Sequence, residues 1–181
     1  MDARDLVARL RHWSFPAGIE GVVGIASGGV VNALSGAAGV APGAWISLVG
    51  SGLAATTRTV ATADLSGDRL PTSLGGVSVQ VNGKAAFLQY VSPSQVNALV
   101  PSDTSRGTVT VSLTNASGTS STTTTMADVS PALATLSNYV RAVRSDGAII
   151  NGTGNVETGY QVSAGIGPGD ILSLYGSGFG A

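Results

Sequence analysis

The sequence predicts an all-β protein built as a β-sandwich, and three observations lead there. Apolar residues alternate with polar ones over short stretches, turn signals recur every 8–12 residues, and no segment sustains a long helical period. The composition agrees. Twenty-six glycines, with many Ser, Thr and Val residues, suit short strands joined by tight turns. At 43% hydrophobic residues and a mean hydropathy of +0.32, the chain has enough apolar surface to fold despite its Gly/Ser/Thr bias.

From Val40 the pattern has period two. Trp45, Ser47 and Val49 fall on one face and Ile46 and Leu48 on the other, between Pro42-Gly43 and Gly50-Ser51-Gly52. Residues 54–73 are polar and Thr-rich and read as a long surface loop. Val77, Val79 and Val81 alternate with Ser78 and Gln80, then meet Asn82-Gly83, whose tolerance of positive φ favours a type I′ hairpin turn. The return strand is expected over Ala85–Val91. Gln95–Val100, Thr108–Thr114 and an edge-like Thr119–Met126 follow, separated by Ser92-Pro93-Ser94, Pro101 and Asn115-Ala116-Ser117-Gly118. Val77, Val79, Val81, Val109, Val111, Leu113, Ile46 and Leu48 are the expected core. Trp45 is assigned to it as well, because Ile171 takes its place in the repeat described next.

The segment Val40–Ala55 returns as Ile166–Ala181, with Pro42 and Pro168 at an offset of 126 residues. Pro-Gly opens both copies and Gly-Ser-Gly closes both, while the apolar residues change identity and keep their alternation. The chain is therefore expected to divide into a leader over 1–29 (a short helix at 2–12, then a Gly-rich stretch), a sandwich over 30–129, a linker over 130–165, and the opening strand of a second, truncated sandwich over 166–181. A lone opening strand cannot cover both its faces, so one face and one edge of this last segment should be open.

Several motifs together resemble one family. They are Val31-Asn32-Ala33, Ala41-Pro42-Gly43, Gly50-Ser51-Gly52-Leu53, Leu70-Pro71-Thr72-Ser73-Leu74-Gly75-Gly76-Val77, Val81-Asn82-Gly83, Tyr90-Val91-Ser92-Pro93-Ser94-Gln95-Val96-Asn97 and Val100-Pro101. In this order they are similar to the Solibacter-type C-terminal domain of large exported bacterial proteins, related in style to the TIG/IPT branch of immunoglobulin-like domains. The resemblance spans about residues 30–181; residues 151–161 depart from the family's usual linker. It implies immunoglobulin-like sandwiches in tandem and an extracellular or cell-surface setting, and it carries over no assigned catalytic residue.

The residue inventory points the same way. A net charge of −1 with 10% charged residues offers no basic footprint for nucleic acid or an anionic membrane. The chain has no cysteine, which excludes disulfides, a thiol nucleophile and thiolate metal sites. Its most apolar stretch, residues 21–43, is interrupted by glycines, Ser27, Asn32 and Ser35, which makes it a poor membrane span. Asp2 and Asp5 break the basic start of an export signal, so any such signal belongs elsewhere on a longer parent chain. The single histidine, His12, lies in the leader and has no partner histidine for a triad or a His-rich metal site. Gly50-Ser51-Gly52 and Gly165-Ile166-Gly167-Pro168-Gly169 lack the spacing, helix and lysine of a phosphate loop, and Lys84 is the only lysine. Asp64, Asp68 and Asp103 could offer oxygens to calcium, but they lack the dense alternation of calcium loops and read as solvated loop aspartates.

No catalytic, cofactor-binding or metal residue is therefore assigned. The expected function is a structural or adhesive module whose partners are neighbouring immunoglobulin-like domains of the same chain, with polysaccharide or another surface protein as further partners. The alternative is a carbohydrate-binding accessory module of a secreted hydrolase. It would use the aromatics Trp13, Trp45, Tyr90, Tyr139, Tyr160 and Tyr175, or the hydroxyl face of Ser120–Thr125. Aromatics exposed in a row would favour the alternative, and aromatics buried between sheets the spacer.

Overall fold

Ten strands make the main body. They are β1 (Gly24–Asn32), β2 (Trp45–Ser51), β3 (Arg58–Thr59), β4 (Ser73–Leu74), β5 (Val77–Val81), β6 (Lys84–Ala85), β7 (Phe87–Val91), β8 (Gln95–Leu99), β9 (Gly107–Asn115) and β10 (Gly118–Met126). One sheet has the order β1-β2-β8-β7-β3; the other is β10-β9-β5-β4, with β6 also paired to β5, and every ladder is antiparallel. The computed structural model describes residues 22–103, 105–136, 139–140, 142–145, 149–150 and 168–179. The leader helix, His12, Trp13, Tyr160 and residues 165–167 lie outside these. Among the described residues the only helix is a 3-10 turn, Thr62–Asp64, and no helix is long and apolar enough to cross a membrane.

The core lies between the two sheets and follows the period-two pattern. Ile46, Leu48, Val81, Val111 and Leu113 are fully buried, with Val77, Val79 and Val109 close behind. Gln80 and Thr110 point to solvent and Ser78 and Ser112 are half-buried. A shift of one residue would put this polar set inside, so burial fixes the register. Asn82-Gly83 forms the two-residue turn between β5 and β6, with φ of 51° and 77°, as a type I′ turn requires.

Three expectations are corrected. β1 begins at Gly24, inside the segment assigned to the leader. Its ladder to β2 skips from Ile25 to Val30, and that bulge destroys the alternation by which a strand is recognised. The return strand after Asn82-Gly83 is broken: Lys84–Ala85 pairs with β5, the chain crosses at fully buried Ala86, and Phe87–Val91 joins β8 in the opposite sheet. Trp45 is not in the core. It alternates with inward-facing Ile46 and stands half-buried on the outer side of its sheet.

Shorter strands follow: β11 (Ala132–Leu133), β12 (Thr135–Leu136), β13 (Tyr139–Val140), β14 (Ala142–Arg144), β15 (Ile149–Ile150), β16 (Leu172–Leu174) and β17 (Gly176–Ser177). Strands thus occur within the segment assigned to a linker. Their pairing reproduces that of β1 and β2. In the first copy Leu48, Ser47 and Ile46 pair with Val30, Val31 and Asn32, and Ser51 and Gly50 with Gly24 and Ile25. At the offset of 126, Leu174, Ser173 and Leu172 pair with Ala142, Val143 and Arg144, and Ser177 and Gly176 with Ala132 and Leu133. The first copy spans the interruption with the β1 bulge. The second fills it with the small β12–β13 hairpin.

The glycines keep their roles too. A Cβ at Gly50 would fall on the Gly24 carbonyl, and one at Gly176 would lie 2.5 Å from the Ala132 carbonyl oxygen. Gly24 and Ala132 are themselves equivalent in the two ladders. Gly52 and Gly178 both take positive φ, at 60° and 79°.

Candidate functional site

The carboxylates singled out as possible cation ligands are not brought together. Asp64 accepts a 2.5 Å hydrogen bond from Arg58 Nη2 and a 2.8 Å bond from the Ala61 amide, which closes the 3-10 turn. Asp103 anchors the loop before β9. Asn82 Nδ2 donates to it at 3.0 Å, the Ser105 amide donates at 2.9 Å, and Lys84 Nζ stands 3.5 Å away. The Asn82 hydrogen bond leads these in holding the Asp103 carboxyl far below the usual carboxylate range; those from Ser105 and the Lys84 charge add to it, and burial opposes them. Asp68 is exposed. Among the described residues no group of three or more His, Cys, Asp or Glu side chains could hold a metal ion. Arg106 pairs with Asp128 at the surface.

Gly50-Ser51-Gly52 ends a strand and lines no anion site. A depression of about 300 Å³ beside it is lined by Gly52, Gly75, Gly76, Pro93 and Asn115 among others. Its amide, Asn115, is spent on the carbonyls of Gly52 and Leu53, at 2.7 and 3.0 Å, and ties the two sheets together. The hydroxyl face of Ser120–Thr125 lies on β10, an edge strand, where Ser121, Thr123 and Thr125 are exposed. Ser120 Oγ accepts the Ile25 amide at 3.0 Å, so part of the inward hydroxyl set joins the two sheet edges.

The chemistry that does assemble is on the outer face of the β1-β2-β8-β7-β3 sheet. Trp45, Phe87 and Tyr90 are the aromatics of residues 22–136. None belongs to the core cluster, and all three stand half-buried. Cross-strand pairing sets their company: Trp45 lies opposite Leu99, which faces Phe87, and Ser47 lies opposite Asn97, which faces Tyr90. A bulge between Leu88 and Tyr90 leaves Gln89 without a ladder partner and exposed beside them. Trp45, Gln89 and Asn97, with Ala33 and Leu34 of the turn after β1, line a depression of about 300 Å³.

The amide of Asn97 is oriented from behind. Its Oδ1 accepts from Ser47 Oγ at 2.9 Å and from Gln95 Nε2 at 2.8 Å. Ser47 itself is 7% exposed, so the acceptor side is fixed and the Nδ2 donors remain for a ligand. Tyr175 stands apart on the repeated segment, 52% exposed. Sequence reasoning named Trp45 and Tyr90 as candidate sugar-stacking aromatics but missed Phe87, Gln89 and Asn97. These five come together because β2 pairs with the non-consecutive β8, whose other edge carries β7.

Comparison with known proteins found no protein-family model and no curated protein that matches this chain.

Proposed function

We propose that this chain is a non-catalytic structural or adhesive module of an exported or cell-surface bacterial protein, in which immunoglobulin-like sandwiches follow one another. The reading draws on the resemblance to Solibacter-type C-terminal domains. One observation carries it: the repeated segment keeps strand register and the backbone duties of its glycines. Conservation of pairing and punctuation, with free exchange of apolar residues, is what a repeated framework needs; a repeated active site would keep side chains. Neighbouring copies in one chain are the natural partners of such a framework.

The test is topological. Proteinase applied to intact cells that produce the parent protein should remove an epitope within residues 30–129, and the purified chain should show no glycosidase, esterase or peptidase activity above blank. Protection of the epitope until the cells are lysed would refute the surface placement. The rival reading, a carbohydrate-binding accessory module, gains from the three aromatics on the outer sheet face and, among the described residues, none in the core.

A further inference from the structure

We infer that the outer face of the β2-β8-β7 strands is a binding platform for a neutral polysaccharide, with Trp45 as the stacking surface and Asn97 and Gln89 as hydrogen-bonding groups. The inference goes beyond the spacer reading and does not depend on it.

The aromatics are distributed unevenly between core and surface. A sandwich core gains most from large apolar side chains, and aromatic rings bury more surface than any others. Here the core is filled by Val, Leu, Ile, Ala and Met, while Trp45, Phe87 and Tyr90 all stand on one outer face. The outer face of the opposite sheet carries Ser78, Gln80, Ala85, Thr110, Ser112 and Thr114, and no ring among the described residues. Rings on one face alone provide a surface for a ligand with flat apolar patches.

Trp45, Ser47 and Val49 on β2, Gln95, Asn97 and Leu99 on β8, and Phe87, Gln89 and Tyr90 on β7 include no Asp, Glu, Lys, Arg or His. Arg58 pairs opposite inward-facing Val91 and is held by Asp64, so it does not contribute charge to this face. The electrostatic complement of such a face is uncharged. An anionic glycan, a nucleic acid or a phospholipid surface would find no counter-charge.

A sugar ring presents apolar C–H faces and a rim of hydroxyls that both donate and accept. Asn97 offers Nδ2 donors already oriented by Ser47 and Gln95, and among the described residues none accepts from them. Gln89, set out by the β7 bulge, adds a donor and an acceptor on the far side of the same depression. Little ordering remains to be done on binding, which favours affinity from few contacts.

The test uses the full chain in affinity electrophoresis through gels containing xylan, mixed-linkage β-glucan or dextran, and in pull-down on cellulose and chitin. Retardation or retention by at least one of these glycans is expected. Trp45→Ala and Asn97→Ala should each weaken it about tenfold, equivalent to roughly 1.4 kcal/mol, and Gln89→Ala about threefold. Thr123→Ala, on the opposite sheet, should leave it unchanged. Far-ultraviolet circular dichroism and Tm of each variant establish that it is folded; if Trp45→Ala is not, Gln89→Ala at its exposed bulge still decides. Failure of the native chain to bind any of the five glycans overturns the proposal. So does binding that survives all three platform substitutions. Conversion of a dimer to a monomer by Trp45→Ala, without glycan binding, would identify the face as a protein contact and equally overturn it.

Discussion

Gly50→Ala asks whether the repeated glycines are there because backbones touch. A Cβ built on Gly50 falls on the Gly24 carbonyl oxygen and lies 3.0 Å from both the Gly24 carbonyl carbon and the Ile25 Cα. Carbon atoms ordinarily rest roughly 3.5–4.0 Å apart, so β1 must retreat from β2. Gly50 cannot move the other way without cost, because its amide donates to the Ser94 carbonyl at 3.1 Å on the opposite side. Retreat stretches the Gly24–Ser51 and Ile25–Gly50 pairs at the end of the ladder. Losing one or two backbone hydrogen bonds at about 1 kcal/mol each gives about 2 kcal/mol, within the range of about 1–3 kcal/mol for overpacking. For a sandwich of this size that corresponds to a fall in Tm of roughly 8–16 °C. Urea unfolding and calorimetry of the full chain would measure it. Gly43→Ala is the control, since its Cβ would meet nothing within 4 Å and only its φ of 70° is unfavourable. A Gly50→Ala chain within about 0.5 kcal/mol of the native protein would mean that the close approach is not what requires glycine there.

Gly83→Val should destabilise by more than about 1 kcal/mol. A Cβ at this position would meet nothing within 4 Å, so the loss comes from a β-branched residue at φ 77°, and an unchanged Tm would contradict it. Asp103→Asn should lower Tm at neutral pH, with a deficit that shrinks on acidification. The native carboxyl titrates below its unfolded value, so its contribution is fully present above the unfolded value of about 4 and is lost as pH falls through the lower folded value. Tm profiles of the two proteins from pH 7 to pH 2 should therefore converge; a constant gap would show that the ionised form is not what stabilises the loop.

Where the sequence could be read, local backbone rules coincided with burial. Val77-Ser78-Val79-Gln80-Val81 before Asn82-Gly83 states the buried face of β5 and the turn that ends it within seven residues. The repeat was equally readable, because the glycines excluded by contact or required by φ do not drift as apolar residues do. Three kinds of information were not local. The β1 bulge erased the period of its own strand. The crossing at Ala86 has no Pro or Gly to mark it, since a small side chain buried between sheets looks like any strand alanine. For Trp45, alternation separated it correctly from Ile46 and Leu48, but a period of two says which residues share a face and not which face is inside. Burial was inferred from the apolar Ile171 at the equivalent position of the repeat, and Ile171 is itself 72% exposed. The platform with Gln89 and Asn97 depends on strand order and on a bulge at the far side of the sheet, neither of which leaves a mark near residue 45.

The two copies of the opening strand differ in what covers them, and this predicts self-association. Leu48 and Leu53 are fully buried beneath the facing sheet, whereas their counterparts Leu174 and Phe179 are 55% and 60% exposed. Ile171, the counterpart of half-buried Trp45, is 72% exposed. Among the described residues β16 is the outer strand of the order β15-β14-β16, so its second hydrogen-bonding edge has no strand against it. An apolar face beside an unpaired edge is the arrangement that recruits another strand. The 181-residue chain should therefore scatter more light at equal concentration than a form ending at Val129. Leu174→Lys in the full chain should reverse most of the difference, because a charge on an edge strand opposes pairing. If the full chain is as monomeric as both, and hydrogen exchange shows every amide of residues 171–175 protected, something within the chain already covers that edge and the comparison of the two copies misleads.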